Sequence, residues 1–332
     1  MNWWIQRTAQ AIFTVFVVIT ISFLMIRTMP GGPANALYAE LEEQGVHPQQ
    51  IRAQVERLIG VDPDAPIHEA YVDYMLNLAR GDLGHSIWFS EPVADVLAEA
   101  LPWTVFILSW AIMISFVLGI VLGALMAYYE GGKLDLGLTT YGMVMGSIPY
   151  YVFAILLVLF FAYRIQWFPQ GGRTYQGTTA GFNWPYIQGV LHHATLPILS
   201  FVLSGSVASL SMRGNSIHIL GKDYVRVARL RGLPDSTIAV QYVARNAILP
   251  MYTGLMITIG SMFGGAIILE MVFNYRGMGW AMVEAVNARD YPLMMGTFIV
   301  ITVGVVITLF IADLTYGKID PRAGSAANRE SY

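Results

Sequence analysis

Repeated runs of apolar residues without a charge constrain this chain more than any other feature. Crossing the hydrocarbon of a bilayer as a helix takes about 20 apolar residues. Uncharged stretches of that order occur at 8–26, 101–129, 136–163, within 174–212 (apolar from about Leu191), 246–269 and 291–312. Charged residues make up 12% of the chain and hydrophobic ones 55%. An average soluble chain carries roughly twice that charge. A soluble globular fold and a disordered chain are therefore excluded, and six spans place both termini on one side of a membrane.

The first run has a second reading as a signal peptide, because Arg7 gives a weak basic start and Ala34-Asn35-Ala36 resembles a cleavage site. Its length and the closing Arg27 favour an uncleaved helix. Orientation follows Lys and Arg in the short loops. With both termini inside, the inner segments hold eleven basic residues, six of them in 213–250, against four in the short outer loops. A plasma or bacterial-type inner membrane with cytoplasmic termini is the expectation.

The pairs Gly119-x-x-x-Gly123, Gly142-x-x-x-Gly146 and Gly260-x-x-x-Gly264 place small residues one turn apart. Such spacing lets helix backbones approach closely. Ordinary helix packing is the preferred reading, with a solute-lining face as the alternative. The fourth span is similarly rich in serine around Ser204-Gly205-Ser206.

The loop 28–102 reads as a small helical cap. Ile51, Val55, Leu58 and Ile59 share one face, and Ile67, Tyr71, Tyr74, Met75 and Leu78 share another that closes at Gly81. A third helix is expected from Ser90 as N-cap, leading into the second span. The loop's net charge of −9 either aids solubility or forms a docking surface for an extracytoplasmic partner.

The segment 213–250 is different in kind. Val225, Ala228 and Leu230 alternate with Arg226, Arg229 and Arg231 in a short helix that Gly232 ends and Pro234 prevents from continuing. A second helix is expected at about 236–247, ending before Pro250. From spacing alone, this helix–glycine–helix elbow either docks a partner or rests on anionic lipid.

The stretch 223–253 resembles the EAA loop of ABC-importer permeases. Aligned on Gly232, the E-A-A positions hold Arg226, Val227 and Ala228, and the segment closes with Asn246-Ala247-Ile248-Leu249-Pro250. Arg in place of the Glu resembles the dipeptide/oligopeptide/nickel branch. Further elements of that branch recur in order: Met29-Pro30-Gly31-Gly32-Pro33-Ala34, Gly81-Asp82-Leu83-Gly84-His85-Ser86 and Leu101-Pro102-Trp103-Thr104. They are followed by Glu270-Met271-Val272-Phe273-Asn274-Tyr275-Arg276-Gly277-Met278-Gly279, by Arg289-Asp290-Tyr291-Pro292, and by Asp313-Leu314-Thr315-Tyr316 with Asp320-Pro321-Arg322. Gly32 and Arg276 replace an Asp and a Pro typical of the branch. The likeness covers about 1–324.

The resemblance implies an all-α integral membrane protein with six transmembrane helices, type I ABC-importer permease-like, with a helical extracytoplasmic loop after the first span. It divides into a first transmembrane helix (1–27), the extracytoplasmic loop (28–102), a five-helix core (103–324) with a cytoplasmic coupling loop (213–250), and a tail (325–332). It implies import of a small oligomeric solute, peptide foremost, with oligosaccharide or nickel as the branch's alternatives. The implied partners are a second, paralogous permease, two ABC ATPase subunits, an extracytoplasmic solute-binding protein and membrane lipid. Asp223, Tyr224, Arg226 and Arg229 would contact the ATPase, Ala228 would permit close approach, Gly232 would set the elbow, and Asn246 and Pro250 would hold the second helix.

ATP and Mg belong on the partner ATPases, and no cofactor is expected on this chain. A P-loop needs G-x-x-x-x-G-K-[ST], and Gly132-Lys133, Gly221-Lys222 and Gly317-Lys318 lack both the upstream glycine and the following hydroxyl. The absence of cysteine rules out disulfides and thiolate metal sites. A slightly acidic balance of 19 basic to 22 acidic residues gives no support for nucleic-acid binding. His192-His193 reads as an interfacial pair rather than a metal site, since adjacent histidines leave a helix on different faces. Glu270 near the end of span five either belongs to an outer gate with Arg276 or simply pairs with it, and Asp313 pairs or meets water near the end of span six. Ser204 lacks the buried partners of a protease nucleophile. A coupled carrier needs intramembrane acids that are scarce here.

Overall fold

The computed structural model describes residues 3–28, 65–262 and 267–319, with Tyr38, 41–43, 45–47, 50, 51 and 55 between the first two segments. The side chains of 3, 4, 26, 253, 261, 262 and 312–319 are not among those described. Several expectations lie outside the described residues: the 29–34 motif, Leu58 and Ile59, Gly264, the Asp313 side chain, 320–322 and the tail.

Among the described residues the protein is helical. The helices are α1 (Trp3–Arg27), α2 (Ile67–Ala79), α3 (Val93–Tyr128), α4 (Lys133–Gly146), α5 (Tyr150–Leu157), α6 (Trp184–Ser204), α7 (Val207–Leu220), α8 (Asp223–Leu230), α9 (Arg245–Met262), α10 (Ile267–Val272), α11 (Met278–Asn287) and α12 (Tyr291–Ile319). Two π-helical stretches, Val158–Arg164 and Ile238–Ala244, extend α5 and precede α9. Among the described residues four helices, α1, α3, α6 and α12, are long and apolar enough to cross a membrane, and α4 with α5 makes a fifth if the bent pair is one span. Ile12, Phe13, Ile21 and Met25 stand exposed on α1, a surface that only lipid or another apolar partner solvates well.

The third span is one continuous run in sequence but bends by 88° between α4 and α5. Pro149 explains the break: it has no N–H to donate and disfavours helical backbone at Ile148. The serine-rich fourth run likewise divides at Gly205 into α6 and α7. Helix α6 starts earlier than its apolar part, where Asn183 accepts a hydrogen bond from the Tyr186 N–H at 3.0 Å. The expected cap at Ser90 is not used. Helix α3 begins at Val93, whose N–H donates to the Gly84 carbonyl at 3.0 Å, and runs unbroken through Pro102.

The chain forms two compact units. The first comprises the described residues within 1–105, 263–271 and 276–307, and the second those within 106–262, 272–275 and 308–332. In the first, Val93, Leu97 and Ala100 pack with Ala281, Ala285, Leu293 and Met294, while Phe23 of α1 meets Ala70, Tyr71 and Tyr74 of α2. In the second, α7 is the spine. A Cβ on Gly119 of α3 would lie 2.6 Å from the Ala208 Cβ, and one on Gly123 would lie 2.5 Å from the Met212 Cβ. From α4, Gly142 meets Leu210 and Gly146 meets Val207. Both glycine pairs thus serve backbone-close packing on α7.

Candidate functional site

Helix α8 is two-faced. Val225 and Ala228 are buried with Ile238 and Val243, and Ile219, Leu220 and Leu233 pack against them. The opposite face exposes Asp223, Tyr224, Arg226, Val227 and Arg229, and Leu230 beside them is 81% exposed. Five of the residues expected at the ATPase contact therefore divide by role. Asp223, Tyr224, Arg226 and Arg229 lie outward. Ala228 faces inward, where its small side chain lets α8 approach Ile238 and Val243 rather than an outside surface.

Gly232 closes α8. Its φ of +71° is left-handed, a conformation that costs a side-chain-bearing residue roughly 1 kcal/mol. Its N–H donates to the Arg229 carbonyl at 2.9 Å, and the Leu233 N–H donates to the Ala228 carbonyl at 3.3 Å. Together with the packing of Leu233 against the cluster that contains Ala228, this is a Schellman closure. Pro234 follows in extended conformation and begins the next helical turn without a side-chain cap.

The second arm does not end before Pro250 as its sequence predicts. It passes from the π-helical stretch into α9 and continues to Met262 with Pro250 inside. The Asn246 Nδ2 donates to the Tyr242 carbonyl of its own helix at 2.8 Å. The bond that ties this arm to α7 comes from Asn215, whose Nδ2 donates to the Ala247 carbonyl at 3.0 Å. Beside it lies a cavity of about 610 Å³, within the usual range for small-molecule sites. Ser115, Tyr150, Ser204, Asn215, Pro250 and Thr258 contribute to its wall, and none of the described residues lining it is charged.

A bidentate ion pair also joins α7 to α4. The Arg213 Nε and Nη2 donate to the two Asp135 oxygens at 2.5 and 2.7 Å. The Gly131 N–H and the Thr139 hydroxyl donate to the same carboxylate. In the sequence the two residues only bound separate uncharged runs, and nothing in their spacing pairs them.

In the first unit the structure brings four of the sequence motifs together as two latches. Glu270, 2% exposed, accepts from the Thr104 hydroxyl at 2.7 Å and from the Trp280 N–H at 2.9 Å. Thr104 in turn accepts from the Met278 N–H at 2.8 Å. The carboxylate thus sits at the start of α11, where the helix dipole and free N–H groups favour a negative charge. Gly277 is required by space: a Cβ there would lie 2.6 Å from the Glu270 carboxyl carbon. Arg276 stacks over the Trp280 ring, 5.5 Å from its centroid, so Trp280 connects both residues of the expected outer gate.

The second latch joins Gly81–Ser86 to the start of α12. Asp290, fully buried, accepts from the Ser86 hydroxyl at 2.5 Å, the Trp88 N–H at 3.0 Å and the Leu293 N–H at 3.1 Å. Neither the Thr104–Glu270 nor the Ser86–Asp290 partnership is visible from spacing, because each joins residues more than 150 positions apart.

The histidines are held within the second unit. His192 bonds the Tyr175 hydroxyl and the Trp167 carbonyl, and His193 bonds the Gly189 carbonyl. Ser204 donates to the Ile148 carbonyl at 3.1 Å, satisfying backbone at the α4–α5 bend.

The sequence matches the profile of the family described as binding-protein-dependent transport system inner membrane component over residues 119–325. It is similar to a putative peptide permease protein of Brucella suis, 33% identical over 305 residues that cover 90% of this chain and 92% of that protein. Similarity to the dipeptide transport system permease protein of Bacillus subtilis is 32% over 310 residues, 93% of each chain. The oligopeptide transport system permease protein of Haemophilus influenzae is 31% identical over 322 residues, 96% of this chain and 97% of that one.

Proposed function

Because this chain belongs to the family of binding-protein-dependent transport system inner membrane components, we propose that it is the peptide-translocating permease subunit of its ABC importer. Peptide is the substrate in the names of its relatives, and oligosaccharide or nickel are the alternatives within the branch. Six spans fit this reading, with the bent α4–α5 pair as the third and α9 with α10 as the fifth. Both termini then lie in the cytoplasm, the loop 28–102 lies outside, and 103–324 forms the core before the 325–332 tail.

The exposed face of α8 carries the proposal. In this reading two separate ATPases bind and hydrolyse ATP with Mg, and Asp223, Tyr224, Arg226 and Arg229 dock into them. Gly232 fixes the angle of the elbow, while the second arm with Asn246 and Pro250 passes the displacement to the cavity wall. The uncharged cavity then lies on the solute's path. Glu270 and Arg276 form the fixed side of an outer gate, anchored through Trp280. A paralogous permease supplies the other half, and a binding protein delivers solute from outside.

The test is co-purification from the native membrane with a C-terminal tag. Recovery of a second permease and P-loop ATPases, with ATP-dependent peptide uptake after reconstitution, is the expected result. A lone chain with ATP-independent flux overturns the reading in favour of a channel or carrier. Arg226→Glu is expected to lower ATPase recovery several-fold by charge reversal; recovery at the wild-type ratio removes Arg226 from the contact.

A further inference from the structure

Helix α7 touches both the elbow and α4. Its C-terminal residues Ile219 and Leu220 pack into the cluster around Val225 and Ala228. Two turns earlier, Arg213 grips Asp135 at the start of α4 through both carboxylate oxygens. The Asp135 side chain is 5% exposed and that of Arg213 29%, so water competes weakly for the bond. Planar two-point contact also fixes direction, which a single contact between point charges does not. Helix α7 also meets α4 at Gly142–Leu210 and Gly146–Val207, apolar contacts that lack the fixed direction of the two-point ion pair.

We propose that Asp135 and Arg213 are positioning residues that carry displacement of the elbow from α7 into α4, and so into the half of the third span that precedes its bend. The pair makes α4 follow α7 when the partner ATPases move α8. Without it, the elbow moves while α4 lags, and ATP is hydrolysed without solute passage. The inference rests on the docking role proposed for α8.

The experiment uses the complete transporter, with both permeases, ATPases and binding protein, reconstituted in liposomes, and measures ATP hydrolysed and peptide taken up together. For Asp135→Asn the expected result is hydrolysis within about twofold of wild type and uptake at least tenfold lower. The exchanged pair Asp135→Arg with Arg213→Asp is expected to recover at least a third of the uptake. If Asp135→Asn does not assemble, Arg213→Lys is used, which keeps the charge and loses the fork; a two- to fivefold rise in ATP consumed per peptide supports the proposal. Uptake and hydrolysis falling in proportion, or both staying at wild-type level, overturns it. Wild-type transporter whose uptake does not need ATP overturns instead the docking role on which the proposal rests.

Discussion

Two helix–elbow–helix junctions in this protein have the same backbone closure and opposite surroundings. At the end of α8, Gly232 is left-handed at +71°, and Leu233 reaches back to the Ala228 carbonyl. At the end of α11, Arg289 is left-handed at +52°, and the Asp290 N–H reaches back to the Ala285 carbonyl at 2.8 Å. Both are Schellman closures. They part at the following residue. Leu233 adds an apolar contact and is succeeded by Pro234, so the next helical turn starts without a side-chain cap. Asp290 becomes the buried cap of α12 and collects two further donors from the Ser86–Trp88 turn. One junction is finished from within. The other leaves its polar residues outward, as an element meant to receive a partner would.

Four substitutions at three positions can break the comparison. Asp290→Ala strips a buried carboxylate from three donors and is expected to cost roughly 3–4 kcal/mol, read as a lower unfolding temperature of the solubilised protein. An unchanged transition would mean that the latch contributes nothing. Gly232→Pro cannot adopt the left-handed backbone and loses the N–H that bonds Arg229. Its cost is about 2–3 kcal/mol confined to the elbow. The protein should still insert and bind detergent normally while uptake per ATP collapses; unchanged uptake would remove the elbow from coupling.

Gly232→Ala keeps the N–H and meets no atom within 4 Å, so only left-handed strain of about 1 kcal/mol remains. Transport reduced by a few-fold is expected, measured beside the proline variant. Arg289→Gly is the smallest effect. It relieves the corresponding strain at the buried junction but frees the unfolded chain, leaving a shift within about 0.5–1 kcal/mol. A large loss in thermal stability would show that the exposed Arg289 side chain matters more than its backbone.

Much of the fold was legible because membrane insertion imposes a coarse rule on sequence. Apolar length located α1, α3, α6 and α12, and glycine spacing located the close contacts later seen on α7. The α8 elbow was legible from Gly232 and Pro234, since both act through their own backbone torsions. The 88° bend in the third span was less so: Pro149 marks a break in a helix but not the angle. The second arm was misread at Pro250, because a proline within an apolar helix is tolerated where neighbours compensate the missing bond. Ser90 was misread because the turn around Asp290 takes precedence over a local capping preference.

The number and length of apolar runs, the stop at Gly232, the residues around the elbow and the absence of a phosphate-binding loop can all be read along the chain. These depend on residues close together in the chain, where torsion, periodicity and spacing act directly. That Asp135 grips Arg213, that Thr104 and Trp280 hold Glu270, and that Asp290 closes on Ser86 emerges when the helices pack. A buried carboxylate must find donors wherever the packed helices bring them, and no spacing rule encodes which distant helix that will be.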